Sequence, residues 1–138
     1  AQEGFIEFGK YLTAALTPNQ PLKSLKDAGT AYVRYALDHP THFRVMFSSF
    51  PPNEPPDSEL YKVSKQTFQI LVDIISSGQA KGVMKSGDPE FLALEKWAMV
   101  HGLSMLLLDR MMSDQGNEVV TLVESLIQEN IASILVAP

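Results

Sequence analysis

The chain has 138 residues, 45% of them hydrophobic and 20% charged, with a net charge of −5 and no cysteine. That is one globular domain with enough chain to bury a core, and it excludes a disordered segment, a disulfide framework and thiolate chemistry. The eleven Lys and Arg are scattered, so this chain taken alone lacks the basic patch with which proteins grip nucleic acid. No signal-peptide pattern opens it, and no unbroken apolar run reaches the ~20 residues of a membrane span. The composition fits a cytoplasmic protein.

Hydrophobic periodicity predicts helices throughout, about six, and no strand. Phe5, Phe8, Leu12 and Leu16 mark a first helix over 3–16, ended by the turn Thr17-Pro18-Asn19-Gln20-Pro21. Leu22, Leu25, Gly29, Tyr32, Val33 and Ala36 form one stripe over 22–38. Pro40 ends that helix, because the residue before a proline avoids helical angles, and it can open the next one. The short helix 41–49 carries Phe43, Met46, Phe47 and Phe50 at helical spacing, and the Pro-rich stretch 51–57 reads as a surface loop. A long helix over 58–81 turns Leu60, Val63, Thr67, Leu71 and Ile74 inward, with Gly82 placed to end it. Asp88-Pro89 is an N-cap followed by a first-turn proline, starting a helix that runs to about Met112. Gly116-Asn117 breaks it, and 118–136 form the last helix.

The fifth helix is the unusual one. Between Trp97 and Leu108 only His101 and Ser104 are clearly polar. A helix apolar all round must be covered all round. Either it sits at the centre of the domain, or it has one face on the core and another on a second copy. The last helix also has a wide apolar face. Two such helices from each of two subunits would build a four-helix interface. It would use Leu103, Leu106, Leu107 and Arg110 from the fifth helix, and Val119, Leu122, Val123, Leu126, Ile127 and Ile131 from the sixth. Gly102 would let another backbone come close. Trp97 and His101, at i and i+4, share a face. His101 is then either a core histidine bonded to a carbonyl or hydroxyl, or a polar contact at the edge of a pocket.

Two stretches resemble a known family. Trp-Ala-Met-Val-His-Gly at 97–102, followed by Leu-Ser-Met-Leu-Leu-Leu-Asp, is similar to the Trp-His-Gly signature of the C-terminal domain of TetR/AcrR-type transcriptional regulators. Residues 31–47, AYVRYALDHPTHFRVMF, resemble the same family's tyrosine-rich helix, His-Pro break and short aromatic helix. The resemblance covers essentially the whole chain. It implies an all-α antiparallel bundle that holds a small molecule between its helices and works as a dimer, whose contact the apolar faces place on the last two helices. It also implies operator DNA binding, through an N-terminal helix-turn-helix domain absent from these residues. Ligand binding would release the DNA.

A helical-bundle pocket is mainly apolar with a few placed polar groups. The candidates are Tyr32, Tyr35, Phe43, Met46, Phe47, Phe68, Leu71, Ile75, Trp97, His101 and Met105, although each is equally suited to ordinary core packing. They point to a hydrophobic or aromatic effector. Phe5 and Phe8 would let a ligand move the first helix.

Nothing argues for an enzyme, a cofactor or a metal. His39 and His42 flank Pro40 with no third ligand near in sequence, and no Glu-x-x-His pair exists. Gly78 to Gly82 lacks a phosphate-loop pattern, and Ser48-Ser49 lack a strand-turn-helix elbow. The competing expectation is a helical interaction module with no ligand.

Overall fold

A computed structural model of the chain describes residues 2–48, 59–109 and 117–136. The expectations for Phe50, the loop 51–57, the helix end at Met112, Arg110 and Gly116 lie outside these residues. Six helices follow one another: α1 (Gln2–Ala14), α2 (Pro21–Asp38), α3 (Pro40–Ser48), α4 (Glu59–Ala80), α5 (Pro89–Leu108) and α6 (Asn117–Ala132). The described residues contain no strand, only an isolated antiparallel bridge between Met84 and Leu135. The fold is all-α.

The breakers act as their chemistry requires. Asn19 takes a left-handed φ of 64° between α1 and α2, a conformation asparagine tolerates. Buried Ser24 closes that turn by accepting from Thr17 N at 2.9 Å and donating to Thr17 O at 3.0 Å. His39 bridges two helices: its N–H donates to Tyr35 O at 2.8 Å, and its carbonyl accepts from Phe43 N at 2.9 Å. Pro40 is the first residue of α3. Gly82, at φ 73°, ends the turn after α4, and Val83 N donates back to Gly78 O at 3.0 Å. Asp88 caps α5 by accepting from Glu90 N at 3.0 Å.

The central helix is α2. It packs against α1, α3, α4, α5 and α6, whereas α5 packs against α2, α4 and α6. The sequence had allowed α5 to be the surrounded helix, and the packing excludes that. Leu92, Ala93, Lys96, Val100, Leu103, Ser104 and Leu107 face the core. Phe91 (65% exposed), Leu94 (52%) and Leu106 (46%) lie on the open side, in one stripe with exposed Ala98 and Gly102. By length and composition α5 would suffice to cross a membrane, with a mean hydropathy of 1.4. Glu90, Glu95 and Lys96 interrupt every apolar run but barely lower that average, which the run-length argument missed.

The expected last helix is too long. It stops at Ala132, where Ser133 Oγ turns back to donate to Asn130 O at 2.7 Å. Serine competes with the helix in this way. The chain then runs beside the α4–α5 connection, with Lys85 N donating to Ile134 O at 2.8 Å. Ile134 is fully buried there.

Gly78 lies under this lid. A Cβ at Gly78 would collide with the buried Met84 side chain, 2.6 Å from its Cγ. Alanine improves helix propensity by about 1 kcal/mol, but overpacking costs roughly 1–3 kcal/mol. Gly78→Ala is therefore expected to lower the thermal midpoint, and to lower it less in a Met84→Ala background, where the clash is gone. A midpoint unchanged or raised by Gly78→Ala would contradict this packing.

Candidate functional site

The core encloses a cavity of about 340 Å³ with walls from all six helices. That is at the low end of ligand pockets, which span about 300–1,000 Å³. The first helix contributes Phe5, Phe8 and Leu12, and α3 contributes Phe47. Ala28, Gly29 and Tyr32 come from α2, and Phe68, Leu71 and Ile74 from α4. Trp97, Val100 and the side chain of Lys96 come from α5, and Ile127, Asn130 and Ile131 from α6. Space remains because α2 presents small residues where its neighbours present large ones.

Tyr32 is the hinge of the polar geometry. Its hydroxyl accepts from Trp97 Nε1 at 2.7 Å and meets His101 Nδ1 at 2.7 Å. Indole nitrogen can only donate, so the hydroxyl accepts from Trp97, and its proton is free for His101 Nδ1 when the imidazole carries its own proton on Nε2. Burial pushes the Tyr32 phenol well above its ordinary value, so it stays protonated. Burial also lowers the His101 pKa, which favours this neutral imidazole. The His101 ring packs on α3, with centroids 4.6 Å from Phe47 and 5.5 Å from Phe43. Two hydrogen bonds thus tie Trp97 and His101 of α5 to Tyr32 of α2, and ring packing continues the contact to α3. Phe68 extends the aromatic wall, 5.6 Å from Trp97.

Lys96 is only 4% exposed. Its ammonium donates to Asn130 O at 2.8 Å and to Ser133 Oγ at 2.6 Å, and Glu95 Oε1 is 3.8 Å away. Burial lowers its pKa, the Glu95 carboxylate opposes that, and Lys85 adds to it.

Of the residues expected in a pocket, Tyr32, Phe47, Phe68, Leu71 and Trp97 line the cavity. Tyr35, Phe43, Met46, Ile75, His101 and Met105 are not on its wall. Tyr35, Phe43, Met46 and Ile75 are fully or almost fully buried behind it, and His101 touches it only through Tyr32. Lys96, the α6 residues and the small pair Ala28-Gly29 were not anticipated. The signal for Lys96 was present: it shares a helical face with Ala93, Val100, Leu103 and Leu107, all buried. For the small pair, only the α2 stripe itself could have pointed to a gap.

The residues expected at a dimer interface divide in the same way. Leu103, Leu107, Val119, Val123, Ile127 and Ile131 are buried in the protomer's own core, and Leu122 is half-buried. Leu106 and Leu126 remain on the surface. Among the described residues no group of three His, Cys, Asp or Glu side chains could hold a metal. The His39 and His42 rings stack 5.9 Å apart.

With this geometry established, comparison with known proteins is decisive. The model of a family described as tetracyclin repressor-like, C-terminal domain, matches residues 25–129. The chain belongs to that family. It is not an enzyme family but one of transcription regulators. Two solved structures share the tetracyclin repressor-like fold. A protein of unknown function from Rhodococcus sp. RHA1 superposes with a TM-score of 0.87 at 21% identity, over 98% of this chain and 69% of that one. A bacterial regulatory protein in the tetR family, also from Rhodococcus RHA1, superposes with a TM-score of 0.75 at 20% identity, over 99% of this chain and 70% of that one. No curated protein matches the chain.

Two tyrosine-to-phenylalanine substitutions should separate in sign. Tyr32→Phe strands the Trp97 N–H and His101 Nδ1, at a cost of about 1–3 kcal/mol. The fully buried Tyr35 hydroxyl has no hydrogen-bond partner among the described residues, so Tyr35→Phe should be neutral or stabilising. Denaturant titration of both variants checks this, and a loss at Tyr35→Phe equal to that at Tyr32→Phe would refute the assignment.

The lowered His101 pKa also sets a pH dependence. Just below the ordinary imidazole value of 6.5 the unfolded chain binds a proton that the folded chain refuses. Stability should therefore fall as pH drops through that window. His101→Gln should flatten that part of the profile, as thermal melts across the acidic range would reveal.

Proposed function

We propose that this chain is the effector-binding and dimerisation domain of a one-component transcriptional regulator, a repressor that works in the cytoplasm. In this reading an N-terminal helix-turn-helix domain leads into α1 and binds operator DNA as a homodimer. A small hydrophobic molecule enters the core, and operator affinity falls. The observation that carries the reading is the cavity, because α1 forms part of its wall through Phe5, Phe8 and Leu12. A ligand changes an equilibrium only by binding one arrangement better than another. Here a ligand in the cavity touches α1 directly, and it reaches α3 through Phe47 and through the Tyr32–His101 bond.

The stripe Phe91, Leu94, Ala98, Gly102 and Leu106 supports dimerisation. A Cβ added to Gly102 would meet nothing within 4 Å, so a partner helix has room for close approach. Exposed α6 residues Val120 (50%) and Leu126 (38%) supply a second helix for a four-helix contact. The interface in this reading is rotated from the one the sequence suggested, toward the residues that the protomer leaves uncovered.

Two experiments test the reading. Leu106→Glu places a charge on the stripe without entering the core, and sedimentation should show a shift from dimer to monomer. Leu71→Trp fills the cavity. In the full-length regulator it should abolish the response of operator binding to hydrophobic compounds while leaving ligand-free operator binding intact. Should no hydrophobic compound stabilise the unmodified domain or alter its operator affinity, the ligand-free interaction module would replace this reading.

A further inference from the structure

We infer that the effector is an amphipathic monocarboxylic acid, with its apolar part in the aromatic half of the cavity and its carboxylate on Lys96. This rests on the cavity being an effector site, and it adds the chemical class of the effector. Lys96 stands on the core face of α5, between Ala93 and Val100, where an apolar side chain would pack at no electrostatic cost. A buried ammonium is stable only when well paired. Its acceptors at hydrogen-bond distance, Asn130 O and Ser133 Oγ, are neutral. Glu95 Oε1 stands 3.8 Å away on a half-exposed side chain. Two of the three ammonium hydrogens are thus used, and the ion-pair partner found among the described residues is this solvent-facing Glu95 carboxylate, beyond hydrogen-bond distance. The same side chain lines a cavity whose other walls are overwhelmingly apolar.

Pinning α5 to the end of α6 explains the two hydrogen bonds. The last carbonyls of α6 favour a cation there, yet the charge is left with one solvent-facing carboxylate at 3.8 Å. A ligand carboxylate completes the site. It takes the third hydrogen and brings a closer negative charge, and water exclusion by the apolar walls strengthens the pair. The Asn130 side chain lies on the same stretch of wall. Lys65, the other lysine on the lining, is solvent-exposed, and a hydrated surface ammonium attracts a carboxylate weakly.

The chain contains a single tryptophan, and Trp97 lies in the wall, so its fluorescence reports occupancy. Decanoate and 1-decanol differ only in the head group. At pH 7, below their aggregation limits, decanoate should bind the full chain roughly tenfold or more tighter than the alcohol, as expected for a charge-assisted hydrogen bond. Lys96→Met keeps an unbranched side chain without the charge. It should erase the preference while the alcohol still binds, and Lys65→Met should leave the preference in place.

Equal binding of acid and alcohol by the unmodified chain would overturn the carboxylate assignment and leave the cavity reading standing. So would loss of the preference in Lys65→Met rather than Lys96→Met. Binding of neither probe would overturn the cavity reading and the assignment together. The head-group comparison in the unmodified chain decides the matter even if Lys96→Met does not fold.

Discussion

The Tyr32 hydroxyl sets the register of the whole bundle. Buried polar groups are generally hydrogen-bonded, and both partners of the Tyr32 hydroxyl come from one face of one helix. Trp97 and His101 stand a turn apart on α5, so the pair of 2.7 Å contacts fixes the rotation of α5 about its axis as well as its height along α2. Once that rotation is fixed, everything else on α5 follows. Trp97 and Lys96 look into the cavity, Leu103 and Leu107 fill the core, and Phe91, Leu94 and Leu106 are left facing out. A rotation of a third of a turn would bury the outer stripe and expose the lysine.

The cavity is the second consequence. Gly29 leaves room at the wall, where a Cβ would only reach ordinary contact with α6 and α5, 3.4 Å from Ile127 Cδ1 and 3.6 Å from Val100 Cγ1. Phe8 packs edge-on to Tyr32 at 5.0 Å on the other side, and Phe47 stands 6.3 Å from Trp97. Large rings held apart by their contacts with Tyr32 cannot collapse onto the small residues of α2. An unfilled apolar space costs stability in proportion to its volume. A ligand that fills it returns that stability in proportion to its concentration over its dissociation constant.

The helices were legible because their punctuation is chemical and local. Pro40, Gly82 and the Asp88-Pro89 pair act through backbone geometry that no tertiary contact overrides. The family was legible from the Trp97-His101-Gly102 segment and the His39-Pro40 break. What stayed hidden depended on which face of an apolar helix meets which neighbour. Periodicity cannot divide α5, because both of its faces are apolar, so it could not tell that Leu103 is buried within the protomer while Leu106 stays exposed. The end of α6 was missed because Ile134 and Leu135 continue an apolar pattern, although only Ile134 is buried and the chain there is no longer helical. Tyr35 and Phe43 read as pocket residues because an aromatic at helical spacing looks the same whether its far side meets a void or another ring.

One helix therefore presents two different surfaces back to back. The cavity wall and the exposed stripe are opposite faces of α5, separated by a single helix diameter. If ligand contact with Trp97 or Lys96 moves α5, the surface available to a second copy moves with it. Binding free energies are linked reciprocally. A ligand that strengthens or weakens association between copies must itself be bound more tightly or more loosely by the same factor when the copies associate. The apolar outer face thus makes α5 more than a core element. In the proposed regulator it would be the shortest mechanical path from the content of the core to a second copy, and the Tyr32 hydroxyl would hold that path in register.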